Sequence, residues 1–346
     1  MMKDNSLYNL EGKTNDPSFS KIEGYLKSRL TFYTDDVEFT KRFTKAAQEY
    51  IEENNINNLY ILKNLLRFLG EGILKTKELE EKELKEKGLE KEDLEDIIQK
   101  DGKIRNLKRM RSHFYSHAGE IAEKIASIED SRGKDYQSWL FEAYEAKTNA
   151  AKEALKNEKE FIKGCYVEAA HIATRASEIS NKKHPWVKKE EEAIENALKN
   201  TEGGSLESAY ILLSDAICNK RFYKIFKDEK YLEKASERAY ESGEIFLRKL
   251  KNGETDLEDI NHGKMAFYFA ASNLYDIYLN RRDINHLRNA KKAIDKMRIM
   301  LSDSNGDNTK NYYLAEKIYL EWFKRAGDKK ALKKETKIYK KLLNLK

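Results

Sequence analysis

Asp228-Glu229-Lys230-Tyr231-Leu232-Glu233-Lys234-Ala235 and Asp283-Ile284-Asn285-His286-Leu287-Arg288-Asn289-Ala290 are two versions of one phrase: Asp, then Leu at +4 and Ala at +7. A third version opens with Asp328 and Leu332 and departs at Glu335, where a small residue would stand. Asp suits the first position of a helix, because its carboxylate can accept from backbone N–H groups that have no partner there. Leu and Ala at +4 and +7 then share one side, and the small residue lets a neighbouring helix approach. The phrase predicts the second helix of a recurring hairpin.

Working outward from it, the chain from residue 103 reads as helix pairs: 103–128 with 134–156, 159–180 with 185–200, 205–226 with 229–250, 256–280 with 283–301, and 309–325 with 328–344. Gly133, His184-Pro185, Gly203-Gly204, Gly253, Asp303-Ser304-Asn305-Gly306-Asp307 and Gly327 all fall between these helices, where turn residues belong. The 346 residues contain only two prolines, against about 17 at average usage, so little interrupts a helix. Pro17 lies near the start of the chain, and Pro185 stands at a helix start, where a missing N–H costs nothing.

Residues 1–18 are polar and broken by Gly12 and Pro17, and read as a mobile lead-in. Residues 19–75 form an N-terminal helical region. In it Phe39, Phe43, Ala46, Ala47 and Tyr50 trace one helical stripe, and Leu59, Leu62, Leu65, Leu66 and Leu69 trace another that ends before Gly70. The Asn54-Asn55-Ile56-Asn57-Asn58 connector joins the two as an antiparallel hairpin. Residues 76–102 are a charged connector in which Leu79, Leu84, Leu89 and Leu94 recur every five residues and so cannot share a face. Gly88 is expected to interrupt it. The expected fold class is therefore all-α: an N-terminal helical bundle followed by an α-solenoid of about five antiparallel hairpins over residues 103–346.

The segments Gly133-Lys134-Asp135-Tyr136 through Ala146 and Gly327-Asp328 through Tyr339 resemble the second helix of a tetratricopeptide repeat. Phe267, Ala270 and Leu274, and Tyr312, Ala315 and Tyr319, are similar to its large-small-aromatic first helix. The units are longer than the family's 34 residues and lack its terminal proline. The resemblance implies a TPR-like solenoid that binds a protein or peptide along its concave face. Tyr268, Asn273 and Tyr275 are the expected groove residues.

Net charge is +6, but residues 324–346 alone hold ten Lys or Arg against two acids, so the rest of the chain is close to neutral. Lys333, Lys337 and Lys341 lie on the polar side of this last helix. They read as the soluble face of a terminal cap or as a surface for an acidic partner, with nucleic acid less favoured.

The densest reactive cluster is Arg109 to Glu120. His113 and His117 are one turn apart with Glu120 beyond, and Glu168-Ala169-Ala170-His171 adds an E-x-x-H step, so His113, His117, Glu120, Glu168 and His171 form an incomplete metal-ligand set. Arg111 and His117 also enclose five residues, similar to the Arg-to-His motif of HEPN ribonucleases, with Ser112 where that motif commonly has Asn. That resemblance implies His117 in proton transfer and Arg111 on phosphate charge. The principal expectation remains a non-catalytic scaffold with no cofactor and no metal. Glycine-rich phosphate loops, G-x-S-x-G elbows, C-x-x-C pairs and H-E-x-x-H helices do not occur in the sequence. Cys165 and Cys218 stand alone in apolar stretches and are expected to be buried thiols. The N-terminus has no apolar export core, and Ala266–Leu279, the most apolar later stretch, carries Asp276. No transmembrane segment is expected, and the expected compartment is the cytoplasm.

Overall fold

The computed structural model describes residues 59–88, 101–128, 134–179, 183–301 and 309–327, together with Lys330 and Lys333. The lead-in, the stripe from Phe39 to Tyr50, the 54–58 connector and most of the last predicted helix lie outside these residues. The described residues form ten α-helices and no strand: α1 (Leu59–Glu86), α2 (Gly102–Ile128), α3 (Lys134–Glu153), α4 (Lys159–Ile179), α5 (Lys183–Lys199), α6 (Leu206–Phe226), α7 (Glu229–Lys251), α8 (Leu257–Arg281), α9 (Ile284–Leu301) and α10 (Thr309–Ala326). The chain folds as two compact units, 1–193 and 194–346, with the division inside α5. Within each unit helices pack on their chain neighbours, α1 to α4 in the first and α6 to α10 in the second, as expected of helical-repeat hairpins.

The first described helix differs from expectation. α1 continues through Gly70 and Gly72 to Glu86, crossing residue 75 without a break. Gly72 is buried against α2, where a Cβ would sit 3.2 Å from the Phe114 ring, so this glycine serves close packing rather than termination. The helix ends instead at Gly88, whose φ of +62° is the left-handed conformation that closes helices. Leu66, Leu69 and Leu84 of α1 are buried.

The repeated phrase behaves as its chemistry requires. Asp228 caps α7 by accepting from the Lys230 N–H, and Asp283 accepts from the Asn285 N–H at the start of α9. Leu232, Ala235, Leu287 and Ala290 are all fully buried. The residue before each Asp is left-handed, Lys227 at φ +57° and Arg282 at φ +58°, and its N–H reaches back to the carbonyl of Tyr223 or Tyr278. Gly327, before Asp328, has the same conformation at φ +64° and donates to the Phe323 carbonyl. The corners from α6 to α7 and from α8 to α9 are thus two residues long: one left-handed residue, then Asp.

The core of the second unit depends on small residues. Gly243 of α7 faces the Phe267 ring of α8, and Gly263 of α8 faces Phe246 Cβ of α7 and the end of the Met300 side chain of α9. A Cβ at Gly243 would lie 2.8 Å from the Phe267 ring, and one at Gly263 would lie 2.7 Å from Phe246 Cβ. Ala209, Ala239, Ala266, Ala270 and Ala271 extend the small-residue seam, all fully buried.

Within each unit, polar contacts also reach from a helix to its next-but-one neighbour. Arg175 donates to Glu123 at 2.5 Å and Lys189 to Glu145 at 2.9 Å in the first unit. In the second, Tyr210 donates to Asp259, Lys220 to Asn273 and Asp276, Tyr278 to Glu321, and Lys296 to Glu244. These bonds span 43 to 56 residues of sequence, which is the spacing of one helix pair.

Overpacking a closed seam costs about 1–3 kcal/mol, so Gly243→Ala or Gly263→Ala should destabilise the protein by that much in urea unfolding. Gly164, exposed inside α4 with nothing within 4 Å of a built Cβ, should respond oppositely, Gly164→Ala gaining about 0.5–1 kcal/mol.

Candidate functional site

Two places collect the residues singled out from the sequence, one around α2 and one on the outer side of α8. On α2, Arg111 is buried and points between neighbours: its guanidinium pairs with Glu80 of α1 and, at 2.7 Å, with Glu153 of α3. Burial works against the charge, but Glu80 and Glu153 hold Arg111 above its ordinary range. The residue ties three helices together. His113 and His117, one turn apart, turn to different partners. His113 packs on the Phe161 ring of α4, 4.7 Å between centroids, and burial lowers its pKa. His117 Nδ1 lies 3.1 Å from Glu120 Oε2.

Between these groups lies Lys147 of α3, a residue the sequence reading passed over. Its stem runs beneath Gly119, where a Cβ would stand 2.9 Å from Lys147 Cγ, so glycine there leaves the lysine its path. The side chain is 1% exposed and its ammonium is fully engaged. Nζ meets Ser116 Oγ at 3.2 Å, Glu120 Oε1 at 3.1 Å and Glu168 Oε2 at 2.5 Å. Burial would lower the lysine pKa, but the two glutamates raise it above its usual value. Burial would likewise raise the Glu120 carboxyl, yet His117 and Lys147 outweigh it and hold it down to about 2. Cys165 Sγ lies 4.0 Å from Ser116 Oγ, its thiol pushed up to about 11 chiefly by burial. Both cysteines are buried and outside any disulfide, as expected.

Glu120 and Glu168, offered by the sequence as metal ligands, therefore close on a lysine ammonium. Among the described residues no three His, Cys, Asp or Glu side chains are arranged to hold a metal ion. His171, half-buried on α4, has partners of its own. The cluster works as an internal salt bridge in which one buried cation satisfies two partly exposed carboxylates.

On α8, Leu257, Asn261, Met265, Tyr268, Ser272, Tyr275 and Leu279 fall on one helical side. Leu257, Met265 and Leu279 are 60%, 44% and 41% exposed, and Tyr268 and Tyr275 are half-buried among them. Two of the three expected groove residues thus share this side. Asn273 does not: it is fully buried and accepts from Lys220 Nζ at 2.5 Å, so its role is corrected from partner contact to a link between α6 and α8. Its position in the helix turns it toward α6, a quarter-turn or more from Tyr268 and Tyr275. α6 flanks one side of α8 through Tyr210–Asp259 and Lys220–Asp276, and α10 flanks the other through Tyr278–Glu321. Arg221, Lys224, Lys317 and Lys324 leave cations on those flanking helices, the lysines exposed. Lys333 is exposed, and Lys337 and Lys341 lie outside the described residues.

The fold defines the class: an all-α protein of helix hairpins packed in chain order. No family model and no curated protein matches the chain. Among solved structures it is similar to a circular tandem repeat protein with novel repeat topology and enhanced subunit contact surfaces. That likeness has 17% identity over 89% of this chain and 76% of the other, with a TM-score of 0.31. At that score it does not bear on the site.

A buried ammonium left without counter-charge costs about 3–5 kcal/mol, so Glu120→Gln with Glu168→Gln should destabilise the protein by an amount of that order. The lowered Glu120 pKa contributes stability that is complete above pH 4.5 and is lost as pH falls toward 2. Urea midpoints measured across that window should fall with pH in the wild type and fall less steeply in Glu120→Gln.

Proposed function

We propose that the chain is a non-catalytic scaffold, a tetratricopeptide-like α-solenoid of the cytoplasm, that receives a protein or peptide on the side formed by α6, α8 and α10. The observation that carries this reading is the outer face of α8. Leu257, Met265 and Leu279 expose apolar surface, Tyr268 and Tyr275 set amphipathic rings between them, and Asn261 and Ser272 supply polar groups. Aromatic rings within a partly apolar, polar-rimmed face are what anchors a peptide partner. The cations on α6 and α10 favour an acidic segment over a basic one. No described helix is long and apolar enough to cross a membrane.

The ribonuclease alternative requires Arg111 to meet a phosphate. Its guanidinium is instead buried between Glu80 and Glu153, which supports a structural role, and the scaffold reading is the one carried forward.

Truncating a hot-spot tyrosine costs about 2 kcal/mol or more of binding. Tyr268→Ala with Tyr275→Ala should therefore keep the helical circular dichroism spectrum while recovering at least about tenfold less of the partner that wild type captures. Partner recovery unchanged by the double variant would sink the α8 site. Metal-free cleavage of single-stranded RNA, lost in His117→Ala, would sink the scaffold as a complete account.

A further inference from the structure

Three aromatic rings in the first unit surround one ammonium. Lys189 Nζ of α5 lies 4.3 Å from the Tyr144 ring centroid, 5.3 Å from Phe141 and 5.9 Å from Trp186. The Glu145 carboxylate closes the fourth side at 2.9 Å. Trp186 stands nearly perpendicular to both other rings, at 76° to Phe141 and 86° to Tyr144, so the three form walls rather than a stack. Phe141, Tyr144 and Glu145 come from one side of α3, at i, i+3 and i+4, and Trp186 and Lys189 from one turn of α5.

We propose that Phe141, Tyr144, Trp186 and Glu145 form a binding site for an alkylated ammonium group, and that Lys189 is its resident plug. Several observations separate this from an ordinary inter-helix clasp. Other lysines over rings among the described residues, such as Lys63 on Trp139, Lys77 on Tyr115 and Lys296 on Tyr240, each use a single ring. The ion pair with Glu145 would already hold Lys189, so three rings exceed what a clasp requires. Phe141 is 43% exposed: it contributes little to the core, yet it completes the cage and leaves it an opening to solvent.

The chemistry of the walls selects the ligand. An aromatic cage with one carboxylate attracts a cation through the ring faces, and the attraction strengthens as the cation sheds water. A primary ammonium is compact and strongly hydrated, and Lys189 keeps 29% of its side chain exposed. A trimethylammonium group is larger and more weakly hydrated, and can meet all three rings at once. The cage does not need Lys189 to hold its shape. The Tyr144 hydroxyl donates to the Lys189 main-chain carbonyl at 3.1 Å, and that bond survives any change of the lysine side chain. The site lies entirely in residues 141–189 and is independent of the α8 surface.

The test uses the full chain with Trp139→Phe and Trp322→Phe, so that Trp186 is the sole tryptophan. Its fluorescence is followed during titration with tetramethylammonium chloride, with choline and with a peptide carrying Nζ-trimethyllysine. Removing the plug with Lys189→Ala should tighten binding of at least one of these probes by about tenfold or more over the Lys189 chain. Adding Phe141→Ala should abolish that gain, and Glu145→Gln should weaken it. Preference for the peptide assigns a modified protein as the source of the ammonium, and preference for choline assigns a small molecule; either outcome supports the cage. If Lys189→Ala loses helical signal, Lys189→Gln removes the charge at similar length and is expected to show the same tightening. A folded plug-free variant that binds none of the probes more tightly than the Lys189 chain would overturn the proposal.

Discussion

The second unit depends on how closely α7 and α8 approach, and two glycines permit that approach: Gly243 receives the Phe267 ring, and Gly263 admits Phe246 Cβ of α7 and the end of Met300 from α9. With Phe267 seated on Gly243 and Phe246 beside Gly263, the rotation of α8 about its axis is fixed. Every other property of that helix follows from this rotation. Ile277 and Tyr278 turn inward, Asn273 turns to α6, and Leu257, Met265, Tyr268, Tyr275 and Leu279 remain on the far side. A methyl group at either glycine would push the helices apart or turn one against the other. The candidate binding face is in this sense a by-product of core packing.

Charge performs a different task from apolar packing here. Ion pairs and hydroxyl–carboxylate bonds join adjacent helices, as in Arg238–Asp215 and Tyr319–Asp295, and also reach the next helix but one, as in Lys296–Glu244 and Tyr278–Glu321. Most of these lie near the surface, where a single pair contributes little. They act by position, favouring one register of one hairpin on the next. Arg111 and Lys147 differ from these surface pairs, since each is buried and meets two carboxylates.

Much of this was legible in the sequence because helix ends obey local chemistry. Asp228 and Asp283 marked helix starts, and the nine helices assigned to residues 103–326 have bounds within about three residues of those expected. The stripe expected to end before Gly70 lies in a helix that runs on to Glu86, and Gly72 within it admits the Phe114 ring, since a glycine that stops a helix and one that admits a neighbour look alike in sequence. The α2 cluster was legible only in part for a related reason. His113, His117, Glu120, Glu168 and His171 carry metal-type chemistry, and only the three-dimensional arrangement reveals that Lys147 has taken the cation's place. Tyr268, Asn273 and Tyr275 were grouped by side-chain type, and helical spacing, which sets Asn273 well away from the two tyrosines, was the signal that separates them. The ring cage went unread, although Phe141, Tyr144 and Glu145 at i, i+3 and i+4 and Trp186 and Lys189 at i and i+3 were its available signals.

The two-residue corners carry one further consequence. Lys227-Asp228 and Arg282-Asp283 leave no slack within a pair, so an inserted residue there would misalign both helices at once. The links between pairs, such as Thr201-Glu202-Gly203-Gly204 and Asn252-Gly253-Glu254-Thr255, are longer and rich in glycine. In the second unit an insertion is therefore better tolerated in these links than at the corners: each hairpin behaves as a rigid piece, and the segments that join one hairpin to the next take up changes of length.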